Sequence, residues 1–298
     1  MEQKWRKEKI IFHIPNKHTQ CPVIDLLPSS LWRIYYASRN EENCSSIYFF
    51  DYDVEYETIV FNNNKPIISL GDSGRFDEHG MMPSSIYENY LFYFGISHSK
   101  SVSHLNSIGM LNLNTNQRCF NGPIISKNYT DPFYVATPYI KKIDSIFHIW
   151  YLSVFRHEYD NLFYNIKHAT SNNFTNWNYE EEPCISCESD EGGIASPSVL
   201  QLNDRLTMWY CYRKSTDYRV NPNNSYKIGT ATYQEHDKKW KRMDQTIHFY
   251  NSEFFPSSFD SVMMCYPNVF QYSNKYFMLL NGNEFGKTGI GYAQLIDS

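Results

Sequence analysis

Four phrases of the chain set a carboxylate a few residues ahead of a proline-led apolar run: FDEHGMMP (76–83), TDPFYVATP (130–138), SDEGGIASP (189–197) and FDSVMMCYP (259–267). They supply Asp77, Glu78, Asp131, Asp190, Glu191 and Asp260, with His79 beside the first pair. Two carboxylates, one kept protonated and one ionised by contrasting surroundings, are what glycosyl-bond cleavage asks for. A second set of polar residues follows aromatic runs: Arg39 after YYAS, Arg156 and His157 after YLSVF, Arg213 after WYCY, Asn281 and Asn283 after FMLL. Guanidinium forks grip carboxylate or phosphate, and amides with aromatic faces suit a hydroxyl-rich ring. These residues act together only if the fold brings distant segments to one mouth.

An internal repeat offers such a fold. A proline, an apolar strand, a turn, an aromatic strand, a loop and a third strand recur five times, anchored on Pro22, Pro83, Pro138, Pro197 and Pro267 at intervals of 61, 55, 59 and 70 residues. Runs such as SIFHIWYLS and LTMWYCY alternate as strands do, and ETIVF, RCFNGPIIS and QTIHFY read as outer fourth strands. Four antiparallel strands repeated radially make an all-β, five-bladed β-propeller, a single domain over residues 1–298. Too few residues follow Pro267 for a fourth strand, so the N-terminal EKIIFHI (8–14) is expected to join the last blade and close the ring. Two separate β-sandwich domains are the competing architecture, which the even spacing disfavours.

In a propeller the first strands run along the channel, so the residues leading into them would converge on one mouth. Under that reading Glu191 is the general acid and Asp77 or Asp131 the base or nucleophile. Asp260 positions a hydroxyl or tunes a neighbour, and Arg39, Glu78, His79, Arg156, His157, Arg213, Asn281 and Asn283 bind substrate. The three arginines favour an anionic or nucleotide-linked sugar over a neutral polymer.

Composition sets further limits. A net charge of −5 gives no basic footprint for nucleic acid, and no apolar run reaches the ~20 residues of a membrane span. Seven scattered cysteines read as reduced thiols in cytoplasm. Cys184 and Cys187 have C-x-x-C spacing but no second pair to complete a zinc site. No cofactor is expected; a divalent cation in the channel, approached by His79, stays open as an alternative.

The plan of blades with acids at their entrances resembles the propeller glycoside hydrolases that include arabinanases, invertases and levansucrases. The resemblance implies an Asp on the first strand of blade one, where this chain has Gln20 and Cys21, and a Glu directly before the blade-four proline, where Glu191 stands six residues upstream of Pro197. FDEHGMMPSS, DPFYVATP, YNIKHATSNNFTNW and DSVMMCYPNVF look closer still to glycosidase-like propeller proteins of bacterial surface-polysaccharide gene clusters; here Val262 follows Asp-Ser where that group has an acid. This implies glycosyl-bond hydrolysis or transfer on a small saccharide or nucleotide-sugar. The alternatives are a phosphorylase on the same fold and a non-catalytic sugar-binding or scaffold propeller.

Overall fold

The aromatic, alternating runs form strands almost throughout a computed structural model that describes residues 2–297 apart from Ser29, 100–103, 159–160 and the side chain of His157. After β1 (Gln3–Phe12) the chain makes four consecutive groups. They are β2 (Gln20–Leu26), β3 (Leu31–Arg39), β4 (Ser45–Asp53), β5 (Thr58–Asn63); β6 (Gly80–Tyr87), β7 (Tyr90–Ser97), β8 (Leu105–Asn112), β9 (Gln117–Arg118); β10 (Val135–Ile143), β11 (Ile146–Glu158), β12 (Asn161–Ser171), β13 (Asn178–Tyr179); and β14 (Glu191–Leu202), β15 (Arg205–Lys214), β16 (Lys227–Gln234), β17 (Lys239–Arg242). β18 (Ile247–Asn251) precedes a fifth group of β19 (Cys265–Tyr272), β20 (Lys275–Asn281) and β21 (Ile290–Asp297).

Pairing follows the repeat. Within each group successive strands are antiparallel. Groups one and two share a sheet through a single parallel pair, Ser45 with Gly80, and groups three and four through Tyr164 with Gly193. In the fifth group the N-terminal β1 supplies the fourth strand by pairing antiparallel with β21, and β18 adds to it in parallel.

The first strands touch in a cycle: β2 lies against β6, β6 against β10, β10 against β14, β14 against β19, and β19 against β2. Polar side chains stitch that cycle. Ser85 donates to the Pro138 carbonyl at 2.9 Å, Thr137 Oγ1 accepts from the Ser196 amide at 3.1 Å, Ser198 from Val269 at 2.9 Å and Asn268 from Ile24 at 3.0 Å. The anchoring prolines mark bulges. Cys21, Thr137, Ser196 and Tyr266, each just before its proline, hold φ between 44° and 56°, and the strand pairing skips there. A left-handed residue in a strand is held only by its surroundings, and the bulge turns its neighbours inward.

Among the described residues five apolar clusters each fill the space between two neighbouring groups. Trp150 and Met208 lie between groups three and four, for example, and Trp32 and Phe277 between one and five. A sixth draws small or slender residues from all five groups, including Cys21, Ala37, Met82, Ala136, Ala195 and Cys265. Alanines and cysteines interspersed with the central rings Phe94, Tyr134, Tyr164 and Tyr226 leave room in the middle.

Candidate active site

That room is a cavity of about 680 Å³, within the range of ligand sites. Group one brings Arg39 to it from the end of β3. Group two brings His79, which precedes β6, and His98 and His104, which flank the β7–β8 connection. Group four brings Arg213 from the end of β15, and Tyr218, Arg219 and Tyr226 from the loop that follows; Tyr164 of β12 and Phe285 complete that side.

Arg213 is almost wholly buried, at 2 % exposure, yet no carboxylate pairs with it among the described residues. Its Nε donates to the Tyr164 hydroxyl at 3.0 Å, its two Nη atoms donate to the carbonyls of Lys214 and Leu162, and its plane lies 3.8 Å from the Tyr218 ring centroid. The Tyr164 and Tyr226 hydroxyls form a close hydrogen bond beside it. Burial pushes both phenols up, most of all Tyr226. Arg219 is exposed and stacks on Tyr218 and Phe285, and Arg39 donates only to Gln20 and Asn43, both at 3.0 Å. His79 and His98 rings lie 4.4 Å apart and His98 and His104 5.3 Å apart, with Glu78 3.5 Å from His79. Desolvation, reinforced by His98 and Arg39, pulls His104 down.

The acids expected at this mouth are elsewhere, each tied to a cation. Asp77, fully buried, accepts from the Tyr93 hydroxyl at 2.9 Å and from Arg118 at 2.8 Å. Asp131 accepts from Tyr151 at 3.1 Å and Asn128 at 2.9 Å, with Lys167 at 3.5 Å. Glu191 is clasped by both Nη atoms of Arg242 at 2.7 and 2.9 Å, and Arg242 also holds Asp244, which takes the Tyr210 hydroxyl. Asp260 pairs with Lys7 of β1. Three groups thus repeat one device, a buried or half-buried carboxylate (Asp77, Asp131, Asp244) bridging a second-strand tyrosine and a cation, and the fifth uses Asp260 to pin the N-terminal strand. The expectation that these four acids face one another across the channel is corrected by this placement, because each is oriented by its buried partners and none lines the cavity. Among the described residues the carboxylate that does line it is Glu42.

Of the expected binding residues the structure brings Arg39, His79 and Arg213 to the cavity. Glu78 stands behind His79 and accepts the Gly74 amide. Arg156 lies outside the cavity lining, exposed, over the Phe163 ring at 3.7 Å and 3.3 Å from Glu158. The side chain of His157 lies outside the described residues. Asn281 and Asn283 are used up as clamps. Asn281 joins the two ends of the fold, accepting from Cys21 N and donating to the Thr19 and Gly289 carbonyls, while Asn283 accepts the Val262 and Met263 amides. Sequence reasoning missed His98, His104, Tyr164, Tyr218, Arg219 and Tyr226; Arg219 and Tyr226 sit six and thirteen residues beyond Arg213 in a segment with no strand pattern. Among the described residues no group of three His, Cys, Asp or Glu side chains could hold a metal ion.

No family model matches the chain. An uncharacterised protein of Mycobacterium tuberculosis (strain ATCC 25618 / H37Rv) is 27 % identical over 310 residues, spanning 98 % of this chain and 99 % of the relative. Among solved structures, a glycoside hydrolase superposes with a TM-score of 0.72 at 13 % identity, over 97 % of this chain and 91 % of that one. The catalytic domain of the Coprinopsis cinerea GH62 α-L-arabinofuranosidase gives 0.63 at 9 % identity over 99 % and 98 %. A thermostable family-43 glycoside hydrolase gives 0.62 at 11 % over 96 % and 91 %. The fold is that of the glycoside-hydrolase-like propellers.

Proposed function

We propose that the chain is a single five-bladed propeller that binds an anionic saccharide in its central cavity and acts on the glycosyl bond of that sugar. Five strand groups, five inter-group clusters and a cycle of touching first strands support the blade count. The observation that carries the functional reading is the cavity itself. Three guanidinium groups without a carboxylate partner among the described residues line a sugar-sized space walled by tyrosines. Of the three, Arg213 is held away from water, and a buried cation without an anion leaves its charge for a ligand to satisfy. The fold's likeness to glycoside hydrolases supports action on a glycosyl bond.

The reading is tested by calorimetric titration with free uronic acids against the neutral parent sugars, and by turnover of p-nitrophenyl uronides against neutral p-nitrophenyl glycosides, with and without phosphate or an acceptor sugar. Anionic members are expected to bind at least tenfold more tightly and to be the ones turned over; equal treatment of neutral sugars would sink the reading. A second reading, a non-catalytic binder, is favoured by the sequestration of Asp77, Asp131, Glu191 and Asp260 in ion pairs. It predicts the same binding with no product under any of these conditions. All seven cysteines are free thiols, which supports a reducing, cytoplasmic setting, and no helix among the described residues is long and apolar enough to cross a membrane.

A further inference from the structure

The cavity's arginines and imidazoles are not spread evenly round the ring. Arg39 and the histidines His79, His98 and His104 come from groups one and two, which adjoin through β2 and β6. Arg213 and Arg219 come from group four, whose first strand β14 touches β10 and β19. In a cycle of five, the fourth member faces the junction of the first and second. The two cationic sets therefore stand on opposite sides of the space. Between them the described residues of the wall carry no formal charge: group three offers Tyr134 and Leu152, and group five Tyr266 and Phe285.

Resting on the reading that this cavity takes an anionic saccharide, we propose that its ligand carries an anionic group at each end of a neutral sugar ring: a carboxylated sugar bearing a phosphate ester. The Arg213 and Arg219 side takes the carboxylate. There a planar guanidinium, held in place by Tyr164, Tyr218 and two carbonyls, has one N–H left on each Nη, a pair whose geometry a planar carboxylate matches. The opposite side, where a guanidinium meets three imidazoles, offers donors from several directions and takes the tetrahedral phosphate. The acids on that side, Glu42 on the cavity wall and Glu78 against His79, leave Arg39 without an ion pair. A ligand with a single anion would leave one cationic set facing an empty or neutral neighbour.

The test titrates the intact chain in phosphate-free buffer with inorganic phosphate, glucuronic acid and glucuronic acid 1-phosphate. The sugar phosphate is expected to bind about a hundredfold more tightly than the better of the other two, since linking two anions makes the second contact intramolecular. Arg39→Gln should reduce its affinity to that of glucuronic acid while leaving glucuronic acid itself within threefold. Arg219→Gln, at an exposed position that spares folding, should weaken glucuronic acid and leave inorganic phosphate unchanged. If glucuronic acid binds and the phosphate ester adds nothing, or if either variant weakens both anions alike, the two-ended ligand is overturned while the anionic-saccharide reading stands. If none of the three binds, both fall.

Discussion

Replacing Asp77 by Asn separates an architectural carboxylate from a catalytic one. The side chain is fully buried, and one oxygen serves both Tyr93, at 2.9 Å, and Arg118, at 2.8 Å. Asn keeps the shape and can still accept from the Tyr93 hydroxyl, whose pKa is pushed up by burial first and by the Asp77 charge second. What it removes is the counter-charge of Arg118. Breaking a buried ion pair from one side costs about 3–5 kcal/mol. Arg118 also donates to the Ser69 carbonyl and keeps about a fifth of its side chain exposed, so water compensates it in part and the low end applies, about 3 kcal/mol. For a chain of 298 residues, with about 2.1 cal/mol/K of unfolding entropy per residue, that corresponds to a fall of roughly 5 °C in Tm. The assay is thermal unfolding by circular dichroism, alongside titration with glucuronic acid at 15 °C, where the variant is folded. Binding should stay within threefold of the parent. A variant whose Tm moves by less than about 2 °C while turnover disappears with binding intact would refute the structural assignment and return Asp77 to the chemistry.

Thiol reactivity should follow position: burial pushes Cys211 up to about 11 and Cys187 to about 12, whereas Cys44 sits half-buried on the cavity wall. Peptide mapping after brief maleimide treatment at pH 7.5 is expected to find Cys44 labelled well before Cys187, Cys211 or Cys265, and slowed by glucuronic acid 1-phosphate; early labelling of Cys211 would contradict the placement. His18, His104 and His148 all have pKa values lowered from 6.5, desolvation leading in each. In the window below 6.5 the unfolded chain therefore binds more protons than the folded one, so stability should decline as pH falls from 7 towards 5. Urea midpoints measured across that range check the sign, and a rise on acidification would contradict it. A Cβ on Gly193 would come within 2.2 Å of the Tyr164 ring, so Gly193→Ala should displace that ring, cost about 1–3 kcal/mol and weaken glucuronic acid through the loss of the Tyr164 contact to Arg213. Unchanged binding in that variant would mean that Tyr164 does not orient Arg213.

The repeat was legible because each blade must bury both faces. That demand writes the same alternation and the same proline-marked bulge five times, whatever the protein does. The acids were legible for the same reason, and there recurrence misleads: a site at the centre of a ring needs each of its groups once, whereas a fastening is needed in every blade. Asp77 with Tyr93 and Asp131 with Tyr151 are repetitions of a fastening that group four makes with Asp244 and Tyr210, an acid outside the recurring phrases. Groups that differ between blades are better candidates for function, and they cluster at the connection between second and third strands. Arg39, the pair His98 and His104, and Arg213 with Arg219 all lie at or in that connection, in groups one, two and four. Such loops carry no periodicity, so pattern reading found Arg39 and Arg213 only because they touch the ends of recognisable strands, and passed over Arg219, which does not. The equivalent connection of group five holds Asn281 and Asn283, and there the demands of joining the first and last segments of the fold come first. Asn281 ties Thr19 and Cys21 at the start of the fold to Gly289 near its end, which leaves that blade a clamp where the others present charge.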